Sequence, residues 1–256
     1  MPSFKQTFWK IWYGYLSGRI GRAPVTFLNY GYWPQEGETV HLNPEDETNR
    51  PAIQLYQHVA GGSELTGKRM LEVSCGHGGG ASFVMRYHHP AAYTGVDQNP
   101  KAIEYCRKAH SALGIDFRTG DAQALDFPND HFDTVLNIEA SHCYPRQDSF
   151  FRSAHRVLRP RGNLLFADFR PADEIPQLEQ DATQAGFHIA SRAIINDEVV
   201  RALQRTSRRQ RALVHRLVPK LLHRAVETFA AVEGSSIYNS FVNRERIYLS
   251  LRLMKA

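Results

Sequence analysis

Cysteine is scarce in this sequence: only Cys75, Cys106 and Cys143 are present. The number is odd and none stands in a metal-type pair, which argues against a disulfide framework and against a structural zinc site. Reduced thiols and no metal ion are expected. The chain also lacks any apolar run near the roughly 20 residues needed to span a bilayer. Its N-terminus lacks the continuous apolar segment and small-residue cleavage site of a signal peptide. A cytoplasmic location follows as the expectation. Acids are missing from one stretch: Arg201 to Arg224 holds seven arginines and one lysine and no acid, and it makes the chain basic, with a net charge of +5. Such a run could face anionic lipid, a phosphorylated substrate or nucleic acid, or simply form a solvated helix face. No internal repeat and no low-complexity segment is present.

What is there is enough for one sizeable core: 256 residues, 42% of them hydrophobic. The chain is organised around Leu71-Glu72-Val73-Ser74-Cys75-Gly76-His77-Gly78-Gly79-Gly80. Apolar strand-like residues lead into glycines that can turn the backbone tightly, and Ala81-Ser82-Phe83-Val84-Met85 can begin a helix. Strand, glycine-rich turn and helix is the nucleotide-binding arrangement of a doubly wound sheet. Further signals follow in order. Tyr93-Thr94-Gly95-Val96-Asp97 reads as a second strand ending in an acid, 25 residues after Glu72, where a carboxylate can accept both hydroxyls of a ribose. Asp116 to Thr119 reads as a third, followed by Gly120-Asp121-Ala122, and Asp133 to Glu139 as a fourth. A fifth strand is expected at 163–168 after a turn at Arg159-Pro160-Arg161-Gly162, a sixth at 187–195 and a last at 248–253. Helices are expected at 51–60, 79–88, 100–112, 147–158 and 173–185. The fold class is therefore α/β, with a doubly wound, mostly parallel seven-stranded sheet.

This series resembles the class I S-adenosylmethionine-dependent methyltransferases. Their first motif reads acid-x-Gly-x-Gly-x-Gly, matched here by Glu72-x-Ser74-x-Gly76-x-Gly78, with Ser74 departing from the first glycine. The dinucleotide dehydrogenases compete only through Gly76-x-Gly78-x-x-Ala81, and Gly120-Asp121-Ala122 is no part of their pattern. The resemblance implies S-adenosylmethionine as cofactor. It assigns Glu72, Ser74, Gly76, Gly78, Asp97, Gln98, Asp121, Ala122 and Asn137 to its site, with Asp97 on the ribose and Asp121 and Ala122 on the adenine. His77 lies by the same loop and suits cofactor shaping.

In open α/β sheets ligands bind beyond the carboxyl ends of the strands. Strand four ends in Asn137-Ile138-Glu139-Ala140-Ser141-His142-Cys143-Tyr144-Pro145, and strand five in Phe166-Ala167-Asp168-Phe169-Arg170-Pro171. The Asp-Pro-Pro-Tyr signature of nucleic-acid amino methyltransferases is missing, so no nucleic-acid partner is expected. A hydroxyl needs a base to become a good nucleophile at neutral pH, and histidine suits that range. His142 is the candidate base and Asp168 its orienting carboxylate. Glu139-x-x-His142 is similar to a pattern of natural-product O-methyltransferases, including those acting on sugar hydroxyls. Over nearly the full length the chain resembles the mycobacterial phthiotriol and phenolphthiotriol dimycocerosate methyltransferases. The shared residues are Asn29-Tyr30-Gly31-Tyr32, Leu71 to Ser82, Tyr93-Thr94-Gly95 and Asn137 to Pro145. That resemblance implies O-methylation of a lipid or polyketide hydroxyl. Methylation of carbon or nitrogen, and use of the cofactor for a cyclisation, remain open.

Around this core the layout reads as one structural domain in four pieces: an N-terminal arm at 1–50, the core at 51–195, a helical cap insertion at 196–246 and the last strand at 247–256. Phe4, Phe8, Ile11, Trp12, Tyr15 and Leu16 keep helical spacing. A helix there would serve as a lid or pack on the core, with peripheral membrane contact through residues 1–24 as the alternative. The aromatic run Phe27 to Pro34 suits a loop closing over an apolar ligand, so Tyr30, Tyr32, Trp33 and Tyr144 are the candidate acceptor contacts. Residues 35–49 read as a mobile connector. Asn196 is the expected N-cap of the insertion's first helix. Self-association is left open.

Overall fold

A computed structural model describes residues 26–36 and 40–256. The amphipathic segment expected at 1–24 lies outside the described residues. The elements run α1 (Arg50–Ala60), β1 (Arg69–Val73), α2 (Gly79–His88), β2 (Ala92–Asp97), α3 (Pro100–Ala109), β3 (Asp116–Thr119), β4 (Phe132–Ile138), α4 (Gln147–Val157), β5 (Leu158–Pro171), α5 (Ile175–Gln184), β6 (Phe187–Ile194), α6 (Asn196–Leu217), α7 (His223–Phe229), α8 (Ser236–Val242) and β7 (Arg246–Lys255). One seven-stranded sheet has the order β3-β2-β1-β4-β5-β7-β6. All neighbours pair in parallel except β7, which is antiparallel to both β5 and β6. The order reverses between β1 and β4, the place where open α/β sheets take their ligands beyond the carboxyl ends of the strands.

The central strands are apolar on both faces because helices cover both. Met70, Leu71 and Val73 of β1 and Val135, Leu136 and Ile138 of β4 are all buried. They divide between two clusters. One holds Met70 and Leu136 with α1 and α2; the other holds Leu71 and Val135 with Phe150, Phe151 and Val157 of α4. Pro100 occupies the first turn of α3, and the side chain of Asn99 accepts from the amide of Lys101 at 3.1 Å, so that helix starts where its cap is.

Three local expectations change. Arg159-Pro160-Arg161-Gly162 is a bulge inside β5 and not a turn before it. Phe132 pairs with Leu158 and Thr134 with Asn163, so these four residues of β5 oppose Asp133 alone. Arg161 takes φ +64 within that bulge. The segment 35–49 is more than a connector: Pro44–Asn49 is a 3-10 helix, and buried Asp46 accepts both guanidinium nitrogens of Arg86, at 2.6 and 2.8 Å. Asn196 does not cap α6, whose N-cap residue is Ile195. Its buried amide donates to the carbonyls of Phe241 and Arg246 and accepts from the amide of Tyr248 at 2.8 Å. Asn196 thus ties the start of α6 to β7 and α8 instead of capping the helix.

Candidate active site

The loop between β1 and α2 owes its shape to three left-handed residues, Ser74 (φ +63), Gly76 (φ +54) and Gly78 (φ +75). For serine this conformation costs about 1 kcal/mol. Ser74 gains a partner there: its hydroxyl shares a 2.6 Å hydrogen bond with the hydroxyl of Tyr144. Tyr144 also accepts from Nδ2 of Asn137 at 2.9 Å, and Asn137 in turn donates to the carbonyl of Val73. Tyr144, expected at the acceptor, is thus built into the wall of the glycine-rich loop.

The same loop is braced from beneath. Tyr56 and Tyr93 donate to the two carboxylate oxygens of Glu72, at 2.7 and 2.9 Å. Burial raises the Glu72 carboxyl to about 7, with the two hydroxyls pulling back. Glu72 therefore holds the loop in place through tyrosines on α1 and β2. Gly80 is required by that brace, since a Cβ there would lie 1.9 Å from the ring of Tyr56. At the end of β2, Asp97 accepts from the amide of Gly76 at 3.0 Å and of Asn99 at 2.8 Å. Burial raises its carboxyl, opposed by these two amides. The amide of Gly120 donates to the carbonyl of Asp97, which brings the Gly120-Asp121-Ala122 turn alongside. Asp121 and Gln98 are exposed, and Ala122 is buried.

These residues suit a nucleoside with an amino-acid tail. The N-terminus of α2 has no side-chain cap, so its amides are available to a ligand. Oδ1 of Asn137 is buried without a partner among the described residues. A buried amide oxygen in that state is costly unless something donates to it. Asp97 and Asp121 add carboxylate acceptors at adjacent strand ends.

Beyond the reversal, β4 and β5 end in a second constellation. Nδ1 of His142 lies 2.7 Å from Oδ1 of Asp168. Asp168 is 0% exposed, yet each of its oxygens is satisfied. Oδ1 also accepts from the amide of Phe169 at 2.8 Å, and Oδ2 from Ser141 Oγ at 2.6 Å and the amide of His142 at 2.9 Å. Arg170 adds an ion pair at 3.2 Å. Burial alone would raise the Asp168 carboxyl, but His142, Arg170 and these donors hold it well below the usual carboxylate range. Burial likewise disfavours a charged His142, but the Asp168 charge outweighs it and Cys143 acts in the same direction. The His142 imidazole is therefore raised, and its side chain remains 23% exposed.

Sequence reading missed the aromatic wall around this histidine. Phe169 stacks on His142 with centroids 4.4 Å apart. Tyr30 stacks on Phe169 at 5.5 Å, Phe241 meets it edge-on at 5.4 Å, and Tyr248 packs at 6.1 Å. Glu139 ties the wall together in a left-handed conformation (φ +48): its Oε1 accepts from the amide of Tyr30 at 2.7 Å and the hydroxyl of Tyr248 at 2.6 Å. Burial raises its carboxyl to about 8. Of the expected acceptor contacts, Tyr30 joins this wall. Tyr32 stacks on His58 of α1 at 4.4 Å, and the guanidinium of Arg205 on α6 sits 4.0 Å over the ring of Trp33. Phe169 adjoins Asp168 in sequence and could have been found; Phe241 and Tyr248 arrive by tertiary contact alone.

Fold and site together define a methyltransferase-type Rossmann-like protein, with a glycine-rich loop and buried carboxylates at β1 and β2 and a histidine–carboxylate pair at β4 and β5. Residues 71–166 match the family model described as a methyltransferase domain. The chain is 42% identical over 229 residues to the phthiotriol/phenolphthiotriol dimycocerosates methyltransferase of Mycobacterium leprae, covering 90% of this chain and 85% of that one. It is 43% identical over 220 residues to the fatty-acid O-methyltransferase of Mycolicibacterium smegmatis, covering 86% and 80%. Among solved structures, the cyclopropane synthase MmaA2 from Mycobacterium tuberculosis superposes with a TM-score of 0.70 at 16% identity, over 95% of this chain and 98% of that one, a likeness of fold. The chain belongs to the S-adenosylmethionine-dependent methyltransferases, and S-adenosylmethionine is its methyl donor. No helix among the described residues is long and apolar enough to cross a membrane.

Proposed function

We propose that the protein is an O-methyltransferase acting on a hydroxyl of a lipid or polyketide, with His142 as general base and Asp168 as its positioning carboxylate. The observation that carries this reading is the 2.7 Å contact between Nδ1 of His142 and the fully buried Asp168 carboxyl group. It fixes the ring and leaves Nε2 as the nitrogen for a substrate proton. S-adenosylmethionine, when bound, supplies an electrophilic methyl group. The acceptor oxygen becomes the attacking atom as its proton passes to Nε2. A carboxylate acceptor would need no such base, so the pair favours an alcohol. The aromatic wall of Tyr30, Phe169, Phe241 and Tyr248 favours an apolar acceptor. The names of the two relatives, one a phthiotriol and one a fatty-acid methyltransferase, agree on a lipid-like acceptor. The segment 26–33 and helices α6 to α8 frame this end: the amide of Trp33 donates to the carbonyl of Glu198 at 3.0 Å and the hydroxyl of Tyr30 to that of Phe229 at 2.9 Å. We read them as the arm and cap of the acceptor pocket.

For the cofactor, Asp97 would hold the ribose, Asp121 and Ala122 the adenine, and Gly76, Gly78 and Asn137 the amino-acid end. Asp97→Ala removes a carboxylate that serves both a ribose and the Gly76 amide, so S-adenosylmethionine should bind less tightly by about 1–3 kcal/mol. Calorimetry on a variant with an unchanged circular dichroism spectrum checks this, and an unchanged Kd contradicts it. The acceptor class is tested by transfer from methyl-labelled cofactor to a panel of long-chain alcohols, hydroxylated polyketides, fatty acids and amines, with products read by mass spectrometry. Methyl ethers of the apolar alcohols are expected. Label found only in esters, amines or new carbon–carbon bonds would overturn the reading.

A further inference from the structure

We propose that the turn joining α6 to α7 is a docking site for an anionic membrane surface, with Leu221 entering the headgroup region among basic side chains. Leu221 is 94% exposed, and Leu222 beside it 37%. Scattered surface leucines are ordinary, but one displayed this completely at the tip of a helical hairpin is held there by its surroundings. Pro219 ends the helical pattern, and Lys220–Leu222 forms a 3-10 turn in which the amide of Leu222 donates to the carbonyl of Pro219 at 2.8 Å. A ring nitrogen of His223 lies 2.8 Å from the carbonyl of Val218, and Val218 and Val226 are buried beneath the turn. The turn is thus pinned from the inside with its leucine facing out.

The charge around it has one sign. Arg216, Lys220 and Arg224 are exposed within five residues of Leu221. None of the three takes part in an ion pair among the described residues. The acid nearest them in sequence, Glu227, is engaged by His215 at 2.8 Å and faces Arg211 at 3.9 Å. Arg205, Arg208 and Arg209 extend the exposed basic stripe back along α6. A lone inserted apolar side chain with a collar of cations is what an interfacial anchor needs, since anionic headgroups reward each nearby Lys or Arg. A protein partner fits less well. Two adjacent leucines cannot form the apolar centre of an interface of about 1,200 Å² or more. A second copy of the chain would bring the same positive charge against it. This inference is independent of which acceptor the enzyme methylates.

Vesicle flotation of the full chain tests it, comparing phosphatidylcholine alone with mixtures holding about 30% phosphatidylglycerol. The chain should float with the anionic vesicles only, and lose binding as salt rises from about 0.1 M to about 0.5 M. Leu221→Glu should weaken partitioning at least about tenfold, and the triple variant Arg216→Glu/Lys220→Glu/Arg224→Glu should weaken it at least as much. S-adenosylmethionine affinity, read by calorimetry, should be unchanged in both, which separates lost docking from lost folding. Absence of flotation by the parent, equal flotation with neutral vesicles, or a Leu221→Glu variant that floats like the parent would each overturn the proposal. Retention on an immobilised acidic protein without vesicle binding would do so too, and would assign the surface to a protein partner.

Discussion

His142→Ala should lower kcat by about 10²–10⁴-fold on an alcohol acceptor, the usual worth of a positioned acid or base. Affinity for S-adenosylmethionine should barely change, because the histidine follows β4, whereas Asp97 and the glycine-rich loop lie at the ends of β2 and β1. The pH profile carries the argument further. Asp168 stabilises the imidazolium, so the neutral form that can accept a proton grows in only as pH rises through a raised pKa. Activity of the parent should therefore climb on the alkaline side of the ordinary histidine value, about 6.5. Asp168→Asn removes the charge that raises His142 and should move that limb toward acid while lowering its plateau. His142→Ala should recover in part at high pH, where hydroxide can take the proton. Near-normal kcat in His142→Ala at a pH on the parent's alkaline limb would make His142 a loop residue.

Asp168→Ala should unfold the protein more readily by about 3–5 kcal/mol, the cost of stripping one partner from a buried pair. In a chain of this size that corresponds to a fall in Tm on the order of 10 °C. The Ala variant leaves the Arg170 guanidinium buried beside a cavity, and Ser141 Oγ and the amides of His142 and Phe169 without their acceptor. Asp168→Asn keeps one acceptor oxygen and should cost less. The pH dependence has a definite sign. The depressed Asp168 carboxyl contributes stability that is present above its unfolded value, about 3.9, and is lost as pH falls through the lower folded value. The raised His142 contributes stability that is full below about 6.5 and is lost as pH rises through its folded value. The penalty of Asp168→Ala should thus be greatest between roughly pH 4 and 6.5. Denaturant titrations across that range measure it, and a loss under about 1 kcal/mol would contradict a fully buried Asp168 whose partners depend on its charge.

The sheet was legible because its central strands are buried on both faces and read as short, mostly apolar runs followed by small, acidic or amide residues. The first residues of β5 were not, because Pro160 and Gly162 signal a turn, and only pairing with β4 reveals a bulge. The His142–Asp168 pair was legible from topology, since adjacent parallel strands must end side by side. Its surroundings were less so. Tyr144 follows His142 closely enough to suggest the acceptor, yet its hydroxyl meets Ser74, 70 residues upstream. Glu139 reads locally as the acid of a Glu-x-x-His pattern, whereas its contacts are with Tyr30 and Tyr248, each 109 residues away. Periodicity carries no information about such partners. Asn196 shows the same limit in reverse, a good cap by local rules that was drawn into a buried tertiary bond.

The central claim is that His142 removes a proton from the acceptor oxygen. Single-turnover methyl transfer, comparing parent and His142→Ala on an aliphatic alcohol and on an apolar phenol already ionised at the assay pH, tests it most directly. The parent should methylate both. The variant should lose the alcohol by at least about 10²-fold and keep the phenolate within a few-fold, because that oxygen has no proton to give up. Equal loss on both acceptors would mean that His142 holds the substrate or the fold, and that the proton leaves by another route.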